Sequence, residues 1–262
     1  MLRLIVLVLG IVIESLCFAD AVPADQACYL DAGTIRVDYM EERRDHNNEV
    51  THRRPMTLYR YQNQVAIEYP TQGITEKWER AKNKRIKLTR YFNDAQRGIE
   101  YQPGELLNND ADGAKKSAAN NDWSMHWQLI SNNLIASMTE EEHEGTKDNS
   151  KGCEGITFYK HQNKSSQSTL IWLAKLQLVE SYSLALPTYT LTLKRQRTSD
   201  VYVAAYFAKL SQYSTIDYAD IGDSESDPFL LKMINLGFVE HGASGFYDAQ
   251  GHDIGARHNH AH

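Results

Sequence analysis

Residues 34–39 read TIRVDY, and the apolar side chains of Ile35, Val37 and Tyr39 alternate with charged ones. A period of two is typical of a β-strand that buries one face and leaves the other in water. The same alternation returns at 189–194 (YTLTLK), where Thr and Lys occupy the wet face. Tyr and Thr accompany Val and Ile in these stretches, a composition that favours strands. The sequence therefore predicts a fold made mainly of half-buried strands.

A hairpin is predicted around residues 62–64. The segments LYRY (58–61) and VAIEY (65–69) are separated only by Gln-Asn-Gln, and such a short polar connection is typical of a hairpin. Another turn and return strand are predicted up to 98–101. Because short connections link antiparallel neighbours, the region 34–101 predicts an antiparallel meander.

Two helices are predicted, one between the strands and one after them. Asp122 is a suitable N-cap for the first, and apolar residues then recur at helical spacing as far as Met138. The second is marked by Asp227 as N-cap, Pro228 in the first turn and Gly237 as terminator. Further strands are expected at 156–159, 169–173, 189–193 and 201–207. The predicted fold class is therefore α+β, mainly β.

The N-terminus has the three parts of a secretory signal peptide. The basic residue Arg3 is followed by a mostly apolar run at 4–18 and by the A-x-A motif that ends at Ala21. Glu14 limits the uninterrupted apolar stretch to residues 4–13, well short of the ~20 residues that span a bilayer. We expect cleavage after Ala21, a periplasmic or secreted location, and no transmembrane segment in the mature chain.

Four regions follow from these signals. They are a signal peptide at 1–21, a β-rich domain at 22–212, an extension at 213–256 and a disordered His-rich tail at 257–262. The extension is predicted to consist of the second helix and a glycine-rich loop packed on the β-rich domain.

The net charge bears on the class of partner. The 262 residues carry a formal charge of −6, and removal of the leader, with Arg3, Glu14 and Asp20, leaves −5. A nucleic-acid partner would call for a basic patch or stripe. We therefore expect no nucleic-acid partner.

Two cysteines remain after cleavage, because Cys17 leaves with the leader. Cys28 and Cys153 would then enter an oxidising compartment, where pairs of thiols usually form disulfides. One bridge between them is predicted, and it would fix an N-terminus that would otherwise fray. Two unpaired buried thiols are the alternative.

The C-terminal histidines are the clearest chemical signal. His252, His258, His260 and His262 form a candidate site for Zn, Cu or Ni, because neutral imidazole is a good ligand for these ions. Composition of this kind is weak evidence without a spacing motif. A polar, solvated tail is the alternative, and no cofactor is certain.

Other chemistries find little support in the motifs. The acidic run at 217–227 departs from the calcium-loop pattern. Ser244 lies in HGASGF at 241–246, where Phe246 stands in place of the final glycine of a nucleophile elbow. A periplasmic or secreted hydrolase that uses acidic and His residues near 217–252 remains an alternative function, with its catalytic residues unassigned.

The order of elements from Thr34 to Arg197 resembles the LolA/LolB-like periplasmic lipoprotein carriers. A leader is followed by amphipathic strands, a helix, the apolar run LIWLAKLQL at 170–178 and more strands. The resemblance implies an open half-barrel with a few covering helices and a hydrophobic concavity for acyl chains. It implies an apolar small molecule or a lipidated protein as partner.

The leading hypothesis is an exported, soluble binding protein that holds a lipid or other apolar ligand in the half-barrel. The hydrolase near 217–252 and a periplasmic metal-binding protein that uses the C-terminal histidines are the alternatives.

Overall fold

The computed structural model describes residues 29–103, 105, 122–141, 155–224 and 226–236. Within these residues, twelve strands and four α-helices form. The strands are β1 (Thr34–Asp45), β2 (Val50–Tyr61), β3 (Gln64–Tyr69), β4 (Ile74–Arg80), β5 (Ile86–Phe92), β6 (Arg97–Tyr101), β7 (Thr139–Glu141), β8 (Ile156–Gln162), β9 (Gln167–Leu173), β10 (Leu178–Ala185), β11 (Tyr189–Ser199) and β12 (Ser214–Asp217). The helices are α1 (Trp123–Gln128), α2 (Asn132–Ser137), α3 (Val203–Leu210) and α4 (Pro228–Asn235). Short 3₁₀ turns lie at Pro70–Gln72, Tyr218–Asp220 and Gly222–Ser224.

All twelve strands belong to one open sheet. Its order is β12-β6-β5-β4-β3-β2-β1-β11-β10-β9-β8-β7, so β12 and β7 are the edges and do not pair with each other. Neighbours are antiparallel except for β12, which runs parallel to β6. The predicted α+β fold, mainly β, with an antiparallel meander and an open half-barrel, is confirmed.

Contacts between distant strands show that the sheet curls. The hydroxyl of Tyr39 in β1 donates to the carbonyl of Val179 in β10 over 2.9 Å. Trp78 of β4 and Trp172 of β9 belong to one buried apolar cluster, together with Val37. Strands on both sides of β1 therefore face each other across a concave inner face.

Helices cover parts of both faces. Leu134 and Ile135 of α2, with both tryptophans of α1, pack against the apolar cluster of the inner face. Helix α4 packs on another part of the inner face, against residues of β4 to β6 such as Ile99. Helix α3 lies on the outer face, where Tyr206 stacks on Tyr59 at 3.8 Å between ring centroids.

Two local predictions are wrong. The stretch 201–207 is not a strand, because Val203, Phe207 and Leu210 bury one side of helix α3 at helical spacing. The single helix after Asp122 is two helices, because the chain turns at Leu129 with a φ of 62°. Each helix has its own cap, and the hydroxyl of Ser131, the N-cap of α2, donates to Asp122, the N-cap of α1, over 2.6 Å.

Other local predictions are confirmed. The hairpin turn lies at Gln62–Asn63, between β2 and β3. Helix α4 begins after Asp227, whose carboxylate accepts the backbone N–H of Phe229 over 2.8 Å, with Pro228 in the first turn. Strand β12, from the predicted extension at 213–256, joins the edge of the sheet. The division into regions stays a prediction. No helix within the described part of the chain is long and apolar enough to cross a membrane.

Candidate functional site

The inner face is not equally filled along its length. Beneath α1 and α2 its side chains are buried, for example Leu58, Val65 and Leu173. Farther along β8, β10 and β11, apolar side chains are only half-buried. The end of α2 reaches the far end of β8, where the carbonyl oxygen of Ser137 lies 3.1 Å from Nδ1 of His161. We call this part the distal face, and it consists of Tyr159, Tyr182, Leu184, Leu191 and Leu193.

Strand register places these side chains on one face. Leu193 lies opposite Tyr182 in the β10–β11 pair, and Leu184 lies opposite Leu191. Leu170 of β9 stands between Tyr182 and Tyr159, opposite both. Residues directly opposite in antiparallel strands share a face. The distal face is therefore one apolar surface that continues into the buried core.

The other face of the same strands is polar. Thr190, Thr192 and Lys194 alternate with the leucines of β11, and Ser181 and Ser183 alternate with the apolar residues of β10. Since successive side chains of a strand point to opposite faces, the apolar character belongs to the inner face. The sequence signal for this surface was the alternation at 189–194.

A band of ion pairs borders the distal face. Glu41 lies opposite Leu193 in the β1–β11 pair, and its carboxylate accepts a hydrogen bond from Arg54 over 2.9 Å. The Arg54 guanidinium also lies over the ring of Tyr69, 4.9 Å from its centroid. Next along the band, Glu76 on β4 pairs with Arg90 on β5 at 2.8 Å. We call these five residues the polar band.

Burial alters the acidity of the phenol at the centre of the polar band. Burial raises the pKa of Tyr69 to about 12, and the nearby carboxylate of Glu76 adds to the rise. The Nε of Arg54 is buried and has no hydrogen-bond partner among the described residues. A buried donor left unpaired costs free energy, and this nitrogen lies beneath the surface, out of direct reach of a ligand.

A buried arginine holds α1 to the sheet. Arg60 of β2 is fully buried and donates to the carbonyls of Trp127 (2.5 Å), Leu176 (2.8 Å) and Gln177 (2.5 Å). A fourth, longer bond reaches the carbonyl of Ala32 at 3.3 Å.

The charge of Arg60 survives this burial. Burial lowers the pKa of Arg60 to about 9, which leaves the side chain cationic at neutral pH. No sequence signal marked Arg60, because it occupies one position of an ordinary alternating strand.

Most residues singled out from the sequence lie outside the described part of the chain. This holds for the metal candidates His252, His258, His260 and His262, for the predicted disulfide partners Cys28 and Cys153, and for Ser244. The metal site and the disulfide therefore stay predictions. Within the described residues, no group of three or more His, Cys, Asp or Glu is arranged to hold a metal ion.

The acidic run near 217–227 has structural contacts. Asp217 accepts the backbone N–H of Ala219 over 3.1 Å and a side-chain bond from Gln102 over 2.8 Å. Asp227 caps α4 and pairs with Arg97 at 2.8 Å. The predicted hydrolase near 217–252 stays a prediction.

One further carboxyl group near this run has an altered acidity. Burial raises the pKa of Glu105 to about 7, and the carboxylates of Asp217 and Asp220 add to the rise, against a lowering hydrogen bond from the backbone of Gln102. That hydrogen bond, from the Gln102 N–H to Glu105, spans 2.6 Å. Sequence reasoning did not single out Glu105.

Comparison with known proteins identifies no family. No family model matches the chain, and no curated protein matches it. A DUF1329 family protein from Desulfovibrio piger is similar over 69% of this chain and 92% of its own, with 8% identity and a TM-score of 0.31. A structure of PNGF-II is similar over 70% of this chain and 31% of its own, with 7% identity and a TM-score of 0.32.

A putative outer membrane lipoprotein-sorting protein domain from Vibrio parahaemolyticus is also similar. The match covers 70% of this chain and 94% of that domain, with 6% identity and a TM-score of 0.27. A lipoprotein-sorting domain is thus among the solved structures with weak similarity to the chain. TM-scores at this level do not establish a shared fold, and no function is transferred from any of the three proteins.

Proposed function

We propose that this chain is a binding protein that holds an apolar ligand, such as the acyl chain of a lipid, against the distal face. The observation that carries the proposal is the continuous apolar surface of Tyr182, Leu184, Leu191 and Leu193 on one side of strands whose other side is Ser, Thr and Lys. These side chains are half-buried, so a ligand would remove further apolar area from water.

The energetics favour an extended hydrocarbon. Each methylene group that leaves water contributes about 0.8 kcal/mol. An acyl chain that lies along the distal face would therefore gain several kcal/mol from a few methylene groups, less the cost of ordering the chain. The inner face beneath α1 and α2 is already filled by protein side chains, so the distal face is the part of the half-barrel that supports this role.

The polar band would contact the head of such a ligand. Arg54 adjoins the distal face through Glu41, which lies opposite Leu193. The Arg54 side chain is 30% exposed, and its guanidinium carries a charge that suits a carboxylate or phosphate oxygen. An amphiphile with an anionic head therefore fits the proposal better than a plain hydrocarbon. A periplasmic or secreted location, from the predicted leader, belongs to the same proposal.

The test compares two charged substitutions on neighbouring residues of β10. Leu184→Glu places a carboxylate on the distal face, whereas Ser183→Glu places one on the opposite face of the same strand. Binding of a dansyl-labelled fatty acid would be followed by fluorescence titration. We expect Leu184→Glu to weaken binding at least about tenfold, a loss of ~1.4 kcal/mol, and Ser183→Glu to leave it within about twofold.

Thermal unfolding of both variants serves as the control for folding. Native mass spectrometry of the protein purified from its own compartment should show a bound lipid-sized species that organic extraction removes. Equal binding by both variants, or no binding of the fatty acid by the wild-type protein, would contradict the proposal.

A further inference from the structure

A cleft of about 820 Å³ opens at the opposite end of the half-barrel from the distal face. It lies between the β2–β3 turn (Gln62 and Asn63), the β4–β5 turn (Arg80 to Lys84), helix α1 and Gln177 of the β9–β10 turn. The lipid-binding proposal does not use this cleft. Ligand sites of this volume are usually lined mainly by apolar side chains, whereas this one is polar.

Side-chain amides and indoles dominate the lining. Five amides contribute, and they are Gln62, Asn63, Gln128, Asn132 and Gln177. An amide has both a donor and an acceptor, which is the pairing that a ring hydroxyl needs, and Gln62, Asn63 and Gln177 are exposed. Gln128 is buried and already donates to Ile130 and Asn132. Trp123 and Trp127 lie beside them, with ring centroids 5.8 Å apart, and both rings are half-buried. Flat aromatic faces next to amides suit the alternating apolar and hydroxyl surfaces of a sugar ring.

Contacts with the protein fix part of this lining. The indole N–H of Trp127 donates to the side-chain carbonyl of Gln177 over 2.9 Å, and the ring of Trp127 lies 4.8 Å from the Arg60 guanidinium. The side-chain NH₂ of Gln128 donates to the side-chain oxygen of Asn132 over 2.7 Å. A lining held in this way loses little conformational entropy when a ligand binds.

The cleft also carries positive charge. Arg80, Lys82 and Lys84 are exposed on its rim, and within the described residues none of them has a carboxylate in ion-pair distance. The one carboxylate in the lining, Asp122, accepts hydrogen bonds from Ser124 and Ser131. The rim cations are thus available to an anionic group of a ligand.

Backbone conformation at the turns provides a way to test the role of these side chains. Gln62, Lys84 and Gln177 all have positive φ, at 55°, 66° and 51°, and all three line the cleft. Glycine adopts this conformation without steric cost, whereas residues with a Cβ atom are strained in it. Gln96 has a φ of 49° in the β5–β6 turn, outside the cleft, so it provides a matched comparison for the role of the side chains.

We propose that the cleft binds an acidic sugar, a ligand whose ring hydroxyls meet the amides and indoles and whose carboxylate or phosphate meets the cations of the β4–β5 turn. The occupant differs from an acyl chain in chemistry and in place, so this site is independent of the distal face.

The experiment uses glycine substitutions that preserve the turns. Lys84→Gly and Gln62→Gly remove a cation and an amide from the cleft, and Gln96→Gly removes an amide from a turn of the same conformation elsewhere. Because glycine relieves the strained φ, none of the three variants should unfold at a lower temperature. Calorimetric titrations would use tetragalacturonate, glucose 6-phosphate, the neutral maltotetraose and inorganic phosphate as probes.

We expect the wild-type protein to bind tetragalacturonate or glucose 6-phosphate, more weakly at high salt, and to bind maltotetraose and inorganic phosphate at least about tenfold more weakly. Lys84→Gly should weaken binding of the acidic probe by about two- to fivefold, the range for one exposed charge contact, and should reduce its salt dependence. Gln62→Gly should weaken binding of the acidic probe with unchanged salt dependence, and Gln96→Gly should have no effect.

Three outcomes would overturn the proposal. They are binding of maltotetraose as tight as that of the acidic probe, binding of inorganic phosphate as tight as that of the acidic probe, and equal effects of Gln62→Gly and Gln96→Gly. Titration of the dansyl-labelled fatty acid should give the same affinity in all three variants.

Discussion

Substitution of Arg60 by methionine should destabilise the protein more than any substitution of a surface arginine. Methionine fills much of the same volume but leaves the carbonyls of Trp127, Leu176 and Gln177 without their buried donor. Each acceptor that loses its partner costs about 1–3 kcal/mol, and hydrogen bonds to a charged group lie at the upper end. The methionine variant no longer buries a cation, and the avoided desolvation cost offsets part of this loss.

These terms give an expected loss of about 3–5 kcal/mol in the free energy of unfolding, close to the cost of breaking a buried ionic contact. The assay is urea unfolding, in which the midpoint should fall while the slope stays the same. Arg60→Lys should lose nearly as much, because one ammonium cannot reach carbonyls that three different guanidinium nitrogens now contact.

Arg36→Met is the matched control. Arg36 lies on the neighbouring strand β1, its side chain is 39% exposed, and it pairs with Asp38 at 3.1 Å. An exposed pair of this kind contributes about 0–1 kcal/mol. If Arg60→Met were as mild as Arg36→Met, the view that Arg60 fixes helix α1 to the sheet would be refuted. Hydrogen exchange should show faster exchange in α1 for the Arg60 variant alone.

Three further predictions concern acidity, the disulfide and the tail. Because burial raises the pKa of Glu105 to about 7, the folded protein retains a proton there that the unfolded chain releases from about pH 4.5 upward. Its contribution to stability therefore falls as pH rises toward 7. In Glu105→Gln, the free energy of unfolding measured with urea should depend less on pH between about 4.5 and 7. The same pH dependence in the variant and the wild-type protein would count against this prediction. Peptide mapping without reductant should show one bridge between Cys28 and Cys153, and free thiols on both in natively exported protein would rule it out. Deletion of 257–262 should reduce uptake of Ni, Cu or Zn, and uptake by the full chain should fade below about pH 6.5, where imidazoles take up protons; undiminished uptake would place the site elsewhere.

Strands β1 and β11 were predictable because the spacing of their apolar residues marks one face of each strand. Val37 alternates with charged neighbours in β1, and Leu191 alternates with threonines in β11, so both strands were evident from residue spacing. Helix α4 was equally evident, since Asp227 and Pro228 mark its start through local chemistry. Signals of this kind depend only on neighbours in sequence.

Other features depend on contacts between distant residues, and these could not be predicted. The stretch around Phe207 contains enough aromatic and β-branched residues to suggest a strand, yet it folds as a helix because the outer face offers Tyr59 and Tyr91 as partners. The break at Leu129 lets α1 and α2 follow the curved inner face. Arg60 has the same local pattern as an exposed strand residue. Three of its carbonyl partners lie 67 to 117 positions later in the chain, so its burial could not be predicted from neighbouring residues.

The strand order has a consequence for how the chain acquires its structure. Strands β1 to β6 are joined by short turns, and so are β8 to β11, whereas β1 meets β11 through pairs such as Arg36 with Ser199. Pairing β1 with β11 closes a long loop, and the entropy of closure is lost before the contacts of the pair are complete. Contacts between residues so far apart in sequence slow folding. We expect two meanders to form early and the β1–β11 seam to form last. During that interval the long strand β1 has an unpaired edge, open to the same edge of another newly made chain. A partly synthesised molecule is thus most exposed to aggregation at the strand that becomes the centre of the finished sheet.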